Sequence, residues 1–405
     1  MLGILKNRNY AILFSGQLVS TIGNNLYTIA LPWYVYSITG SKKALVLSGL
    51  SVFIPHIAGL FVGTFTDRWI KKDTMIWVDL LRGIITILLA VLAIKHVSFY
   101  YFIALVFLLQ LVGSFFSPAS SAMTPLLVEK EDLPSAFGLS QSGNAVAQLI
   151  GTVGGGALFG LIGAPLLFFS NGISFFLSVL SLCFIRIQET IHHENISNSF
   201  IQNWLNGIQM IYRSKSILRI IAAGLLANFG LAPLEITFTA WIKGPMHSNS
   251  FSFGLINAGF LTGLLIGGLL MPIIRKRINS INTLKYGLLF IGIWIALIGV
   301  FPNFYWALSV MTIVGIALAL VNTSLDVLLV DIVPQHMRGR VFGAFNGLIV
   351  LSGPIGLSIL GSLLSYISLS WMFVIIGALS LVGGLIYYIP IKNNIGEISS
   401  QTQSV

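Results

Sequence analysis

Long apolar segments separated by short polar turns recur along the whole chain. Each is close to the roughly 20 residues that an α-helix needs to cross the hydrocarbon of a bilayer. None alternates apolar with polar residues as a transmembrane β-strand does, and helices are the other way to satisfy the backbone in lipid. The pattern therefore predicts twelve membrane-spanning helices, over residues 10–37, 44–66, 74–96, 99–123, 137–161, 165–186, 217–242, 252–274, 283–302, 304–330, 341–366 and 369–390.

The composition supports this interpretation. Hydrophobic residues make up 56% of the chain and charged residues 8%, whereas a soluble domain carries about 25% charged residues. So few charges are too few to cover a surface that faces water. We therefore expect an all-α membrane protein.

The net charge of +10 raises the alternative of a nucleic-acid partner, but its distribution argues against one. With the N-terminus inside and twelve spans, all but four of the 22 Lys and Arg residues fall on the cytoplasmic side, the exceptions being Lys42, Lys43, Lys95 and Lys243. This is the positive-inside pattern of a membrane protein. It predicts cytoplasmic termini, a multi-pass protein of a bacterial-type inner membrane, and anionic lipid as the surrounding partner.

A shift of 205 residues superimposes the first six predicted spans on the last six. The informative matches are glycines, one cation and aromatic residues: Gly49 with Gly254, Gly63 with Gly268, Lys71 with Lys276, Phe99 with Phe304, Tyr100 with Tyr305, Phe137 with Phe342, Gly138 with Gly343, Gly151 with Gly356, and Gly156 with Gly361. Coincidence in an apolar chain is the alternative. We predict two six-helix bundles of the same orientation, residues 1–186 and 217–392.

The two predicted bundles are joined by residues 187–216. Apolar residues recur at helical spacing from Phe200 to Tyr212, with Gln, Asn and Arg between them. The pattern predicts an amphipathic helix on the inner membrane surface. The polar tail 393–405 is predicted to be disordered.

A glycine and a cluster of charges mark the turn after the second span. They are Gly63, Asp67, Arg68, Lys71 and Lys72. The spacing resembles the signature loop of the major facilitator superfamily, although Ile70 stands where that family has a second glycine. The resemblance implies a gate on the cytoplasmic side that closes against the second half. A basic loop that only sets the topology is the alternative.

Three further motifs extend the resemblance. Phe116–Val128 after the fourth span, with the Asp79 and Arg82 pair on the third, looks like the branch of macrolide-efflux and enterobactin-export proteins. Asp331 and Arg338 lie in a loop similar to the acidic–Pro–Arg-Gly loop of the superfamily. Asp326 lies roughly 13 Å inward of its helix midpoint. Asp331 and Arg338 are expected to pair with each other, and Asp79 and Arg82, three residues apart at a helix start, are expected to pair locally. All five charges are predicted to contribute to a cytoplasmic lock.

Glu235 is the deepest predicted carboxylate, about 8 Å outward of the midpoint of the seventh span. An ionisable residue inside a membrane is a functional-site hypothesis by default, and here it predicts a proton or cation site. The alternative is a carboxylate that reaches water or pairs with Lys243.

Polar residues near mid-membrane are candidates for lining a central cavity. They are Asn24, Tyr27, Gln110, Gln141, Asn144, Gln148 and Asn228. Hydrogen bonding between helices is the alternative role for each of them.

No Gly-Lys dipeptide is present, which excludes a P-loop ATPase, and the scattered histidines argue against a membrane enzyme or a metal site. The sequence predicts a non-enzymatic secondary transporter that uses no cofactor and functions as a monomer. The resemblance implies export of a macrolide-like drug or small amphipathic metabolite coupled to proton entry. Siderophore or peptide export and nutrient uptake are the alternatives.

Overall fold

A computed structural model describes residues 2–66, 69–95, 97–129, 131–187 and 200–388, and the regular structure in these ranges is helical. The α-helices are α1 (Arg8–Thr39), α2 (Lys42–Thr66), α3 (Lys71–Ile94), α4 (Phe99–Gly113), α5 (Phe116–Leu127), α6 (Leu133–Phe184), α7 (Phe200–Arg213), α8 (Lys215–Leu231), α9 (Leu234–Lys243), α10 (Ser250–Arg275), α11 (Ser280–Ile298), α12 (Phe304–Ile332), α13 (Arg338–Leu363) and α14 (Leu369–Leu385). Within the described residues, eight helical segments are long and apolar enough to cross a membrane.

Four of the predicted spans differ in continuity from the prediction. The fourth divides into α4 and α5 at Ser114 and Phe115, and the seventh divides into α8 and α9 at Ala232 and Pro233. Proline removes a backbone donor and clashes with the preceding turn, so the seventh span breaks there. The fifth and sixth spans are joined within α6, where Gly163 makes the bend with a φ of 75°. A positive φ of this kind is open to glycine at little cost.

Small residues hold α1 against α6. Gly16 faces Ser181, and Gly23 faces Ser174 and Asn171, so closely that a Cβ atom on either glycine would overlap the partner side chain. Since lipid is as apolar as the helices, packing in a membrane depends on such close backbone approach. The glycines therefore explain why this helix pair packs tightly.

The glycines matched by the 205-residue shift occupy equivalent contacts. Gly151 of α6 packs on Ile22 and Asn25 of α1, while Gly356 of α13 packs on the backbone of Phe229 in α8. Phe229 is the counterpart of Asn24 under the 205-residue shift, and Asn24 lies in the same turn of α1 as Ile22 and Asn25. The repeat in the sequence thus corresponds to a repeat in helix packing.

The same correspondence joins the first half of the chain to the second. Gly254 of α10 lies against Gly156 and the carbonyl oxygen of Thr152 on α6. In the equivalent contact, Gly49 of α2 lies against Leu357 of α13. Two related helix pairs, α6 with α10 and α2 with α13, therefore connect the halves.

Helix α7 forms where the amphipathic pattern predicts it, but its surroundings differ from a bare membrane surface. Gly207 packs against the backbone of Arg340, and Trp204 lies beside Gly347, both on α13. Ile211 is buried, whereas Tyr212 is exposed. Part of the apolar face is therefore covered by protein, because Gly207 of α7 and Gly347 of α13 admit a close helix contact.

Candidate functional site

A polar stripe runs along one face of α6. Gln141, Asn144 and Gln148 are exposed, and the next residues on the same face, Thr152 and Gly156, are covered by α10. Residues four apart lie above one another on a helix, so these residues share one face, which is exposed at the start of α6 and covered by α10 further along. We call this face and the opening in front of it the cleft. Three of the predicted cavity residues therefore lie together on one open face.

Helix α13 carries a polar residue, Asn346, at the position equivalent to Gln141, and it was not among the predicted cavity residues. Asn346 is exposed on the face that continues through Gly353 and Leu357 to the contact with α2. It follows Gln141 by 205 residues, so the repeat register was the signal that identifies it. The cleft thus has one polar side chain at equivalent places on α6 and α13.

The closed end of the cleft is held by contacts between the two halves. Lys42 Nζ donates a hydrogen bond of 2.9 Å to the carbonyl oxygen of Leu364, and Ser250 Oγ donates one of 2.9 Å to the carbonyl oxygen of Gly156. Trp33 of α1 is buried, with its ring centroid 6.1 Å from that of Phe253 on α10. Polar and aromatic contacts together therefore seal this end.

Glu235 occupies the first turn of α9, directly after the break at Pro233. Its side chain is exposed, and it makes no hydrogen bond or ion pair with any other described residue. The alternative pairing with Lys243 does not occur, since Lys243 Nζ instead lies 5.4 Å from the ring centroid of Tyr36. Asn228, one helix earlier, is half-buried.

Asp79 and Arg82 form an ion pair inside the protein. Arg82 Nη1 lies 3.2 Å from Asp79 Oδ1, and Arg82 Nη2 donates a hydrogen bond of 3.1 Å to Asn24 Oδ1 on α1. The Asp79 side chain is 0% exposed, and the guanidinium group stacks over the Phe175 ring at 4.0 Å. The pair that was predicted for a cytoplasmic lock is therefore buried among α1, α3 and α6 in this structure.

Tyr27 was predicted to line a cavity, but it is buried in the protein. It is 2% exposed and packs on Phe168, with ring centroids 5.5 Å apart. Its hydroxyl group, Asp79 Oδ2 and Arg82 Nε have no hydrogen-bond partner among the described residues. These buried polar atoms mark a second polar region, separate from the exposed stripe on α6.

The signature loop is described only in part. Asp67 and Arg68 lie outside the described residues, and Gly63 is known only as a helical position near the end of α2. Lys71 Nζ donates to the carbonyl oxygen of Trp69, and Lys72 Nζ donates to that of Ile185 at the end of α6. The second contact ties the start of α3 to the end of the first half.

The second group of predicted lock residues is not brought together. Arg338 donates to the carbonyl oxygens of Val330 and Val333, at 2.9 and 3.2 Å, and forms no ion pair with Asp331. Asp326 and Asp331 are both exposed on α12. Backbone carbonyls at the end of α12 are the nearer acceptors for Arg338. Gln110, the remaining cavity prediction, is half-buried within α4.

Many apolar spans, a repeated packing pattern and an exposed polar stripe on α6 are the features of a multi-pass membrane protein. The sequence model of the Major Facilitator Superfamily matches residues 13–357 and 236–402, so the chain belongs to that superfamily. The expected family and the all-helical fold are confirmed.

Characterised relatives are distant but cover most of the chain. Macrolide efflux protein A of Streptococcus pyogenes is 23% identical over 372 residues, 91% of this chain and 92% of its own length. Multidrug efflux pump Tap of Mycolicibacterium fortuitum is 21% identical over 367 residues, 87% of this chain and 88% of its own length.

Solved structures share the fold. The nucleoside transporter NupG superposes with a TM-score of 0.78 at 15% identity, over 94% of this chain and 99% of its own. A bacterial homologue of the iron transporter ferroportin gives a TM-score of 0.73 in its inward-facing state, at 17% identity, over 94% of this chain and 98% of its own. The outward-facing state of a bacterial ferroportin homologue gives 0.58, at 16% identity and with the same coverage.

Proposed function

We propose that this protein exports a macrolide-like drug or another small amphipathic compound in exchange for protons. The observation that carries the proposal is the exposed stripe of Gln141, Asn144 and Gln148. It lies on the same face of α6 as the contact with α10, at the end of the cleft where α10 no longer covers that face. Transporters with parallel repeats bind their substrates at the interface between the repeats. A few polar groups in an otherwise apolar cleft suit an amphipathic compound.

The transport cycle is alternating access between two six-helix bundles, residues 1–186 and 217–392, in twelve spans with both termini in the cytoplasm. The glycine contacts support this division, because each bundle repeats the packing of the other. The distribution of Lys and Arg supports the orientation. In that orientation the cleft opens toward the cytoplasm of a bacterial cell, and the contacts at Lys42 and Ser250 close the outer end.

A cleft that opens toward the cytoplasm corresponds to an inward-facing state. The higher similarity of the fold to an inward-facing than to an outward-facing ferroportin homologue agrees with that state. Closure of the cytoplasmic end would bring the signature loop, Lys71 and Lys72 toward the second bundle. The charges of Asp326, Asp331 and Arg338 are then available to lock that end, and the ion pairs between them are expected in the outward-facing state.

Glu235 is the proposed proton-binding residue. It is exposed in the first turn of α9, directly after the break at Pro233, and has no cationic partner among the described residues. An ionisable residue within a membrane span is a functional candidate by default, and a change of its access between the two states would let it bind a proton on one side and release it on the other. The proposed driving force is the proton gradient, which Glu235 would couple to transport; the alternatives are another ion gradient and the gradient of the substrate itself.

The efflux direction and the substrate class rest on the relatives, whose names are macrolide efflux protein and multidrug efflux pump. The test is drug susceptibility of a sensitive strain that overexpresses the protein, against macrolides, cationic dyes and siderophores. We expect raised resistance to macrolides and accumulation of labelled macrolide in everted membrane vesicles when a proton gradient is imposed. Siderophore export or substrate uptake without macrolide transport would replace the proposal with its alternatives.

A further inference from the structure

An apolar groove lies away from the polar cleft, between the end of α10, the first half of α11 and α12. Its volume is about 330 Å³. The side chains that shape it are mainly Ile274, Ile278, Tyr286, Phe290, Ile316 and Leu320. Tyr286 and Phe290 are exposed, so the groove is open along α11 and is not an enclosed core cavity.

Three consecutive cations stand at one end of this groove. Arg275, Lys276 and Arg277 follow Ile274 directly, in the turn from α10 to α11, and all three are exposed. Ile278, which lines the groove, follows Arg277. The chain therefore places a strongly basic turn at the mouth of an apolar groove.

Polar groups continue from this turn into the groove. Asn282 and Thr283 line it in the first turn of α11. Lys285 lies in the next turn, with its Nζ 5.1 Å from the ring centroid of Tyr286. The groove thus changes along its length from basic and polar at the turn to wholly apolar beside Phe290 and Leu320.

We propose that this groove binds one anionic phospholipid, with an acyl chain against α11 and α12 and the phosphate group at the α10–α11 turn. The apolar part has the chemistry of an acyl chain, and basic residues at a membrane surface attract anionic headgroups. A zwitterionic lipid offers no net charge to the three cations. The transported compound is a poorer occupant, because the groove lies within a single half of the chain and contacts neither α6 nor α13.

The site is separate from the proposed transport function, and its test measures binding. Purified, delipidated protein is titrated with dioleoylphosphatidylglycerol or dioleoylphosphatidylcholine and examined by native mass spectrometry. The variant that tests the contact with the phosphate group is R275Q/K276Q/R277Q. Its control, R186Q/R213Q/K215Q, removes the same charge from other exposed positions.

We expect wild-type protein to prefer phosphatidylglycerol. Because one basic residue at an anionic surface contributes about a fivefold affinity change, the triple variant should lose at least about tenfold and its control much less. The single variant Lys276→Gln, which disturbs folding least, should lose roughly fivefold. Equal binding by the triple variant and its control would overturn the assignment of the headgroup.

A second pair of variants tests the acyl chain. Leu320→Trp fills the apolar end of the groove, whereas Leu265→Trp changes an exposed residue of α10 outside it. Only Leu320→Trp should weaken phosphatidylglycerol binding. If soluble glycerol phosphate displaces the lipid completely, or if Leu320→Trp binds lipid as wild type does, the groove is not the acyl-chain site.

Discussion

Gly156 on α6 and Gly254 on α10 face each other so closely that a Cβ atom on Gly156 would lie 3.0 Å from the Cα atom of Gly254 and 2.5 Å from the carbonyl oxygen of Ser250. Both glycines belong to the set that the 205-residue shift matches. The contact closes the cleft beyond the polar stripe of α6. It therefore joins the repeat in the sequence to the gate of the proposed transport cycle.

Substitution of Gly156 by alanine should prevent this closure. The backbone atoms of α10 cannot yield as a flexible side chain can, so the inward-facing state loses its outer seal. We expect transport to fall at least tenfold, a change of about 1.4 kcal/mol in the balance between states. The measurement is substrate uptake into everted vesicles, normalised to the amount of protein in the membrane.

Gly268→Ala is the control for this variant, since no atom lies within 4 Å of a Cβ atom built there. It should transport as wild type does. If Gly156→Ala also transported normally, the close contact would have no part in the gate.

Glu235→Gln keeps the size and hydrogen-bonding capacity of the side chain and removes its titration. If Glu235 carries the proton, transport driven by a pH gradient should fall at least about tenfold while the protein remains in the membrane. The control is Glu131→Gln, which changes an exposed carboxylate in the turn before α6. Transport that still responds to the pH gradient in Glu235→Gln would rule out this residue as the coupling group.

Removal of either partner of the Asp79–Arg82 pair should destabilise the protein strongly. Each single variant, Asp79→Asn or Arg82→Met, leaves a buried charge without its partner, at a cost of roughly 3 kcal/mol or more. The double variant should regain much of the lost stability, because it leaves no unpaired charge. Thermal unfolding in detergent measures all three, and a double variant as unstable as the sum of the single ones would contradict the pairing.

The membrane topology is tested by cysteine labelling from the two sides. In a Cys183→Ser background, which removes the single cysteine, Arg213→Cys and Lys43→Cys introduce one exposed thiol each. An impermeant maleimide applied to intact cells should label Lys43→Cys and not Arg213→Cys. Labelling of Arg213→Cys from outside would place the segment between the halves on the wrong side and remove the basis of the export direction.

Contacts within one helix could be predicted from the sequence, whereas contacts between helices could not. Asp79 and Arg82 were recognised as partners because they lie three residues apart on a helix, and the structure shows the ion pair. Their burial against Asn24 and Phe175 was not predicted, since those contacts come from α1 and α6. Asn346 was missed although the repeat register points to it, because its own surroundings in the sequence are unremarkable.

The sequence by itself determined the helices, the lipid environment and the internal repeat. Long apolar segments have few other solutions in a membrane, and the glycines recur at a fixed offset. Tertiary structure decided which face of each helix meets protein. Leu269 is 79% exposed and Leu288 is 0% exposed, yet both are leucines in apolar helices. Because lipid and the protein interior are equally apolar, hydrophobic periodicity cannot separate these faces, and only the packed structure assigns residues to the cleft, the gate or the groove.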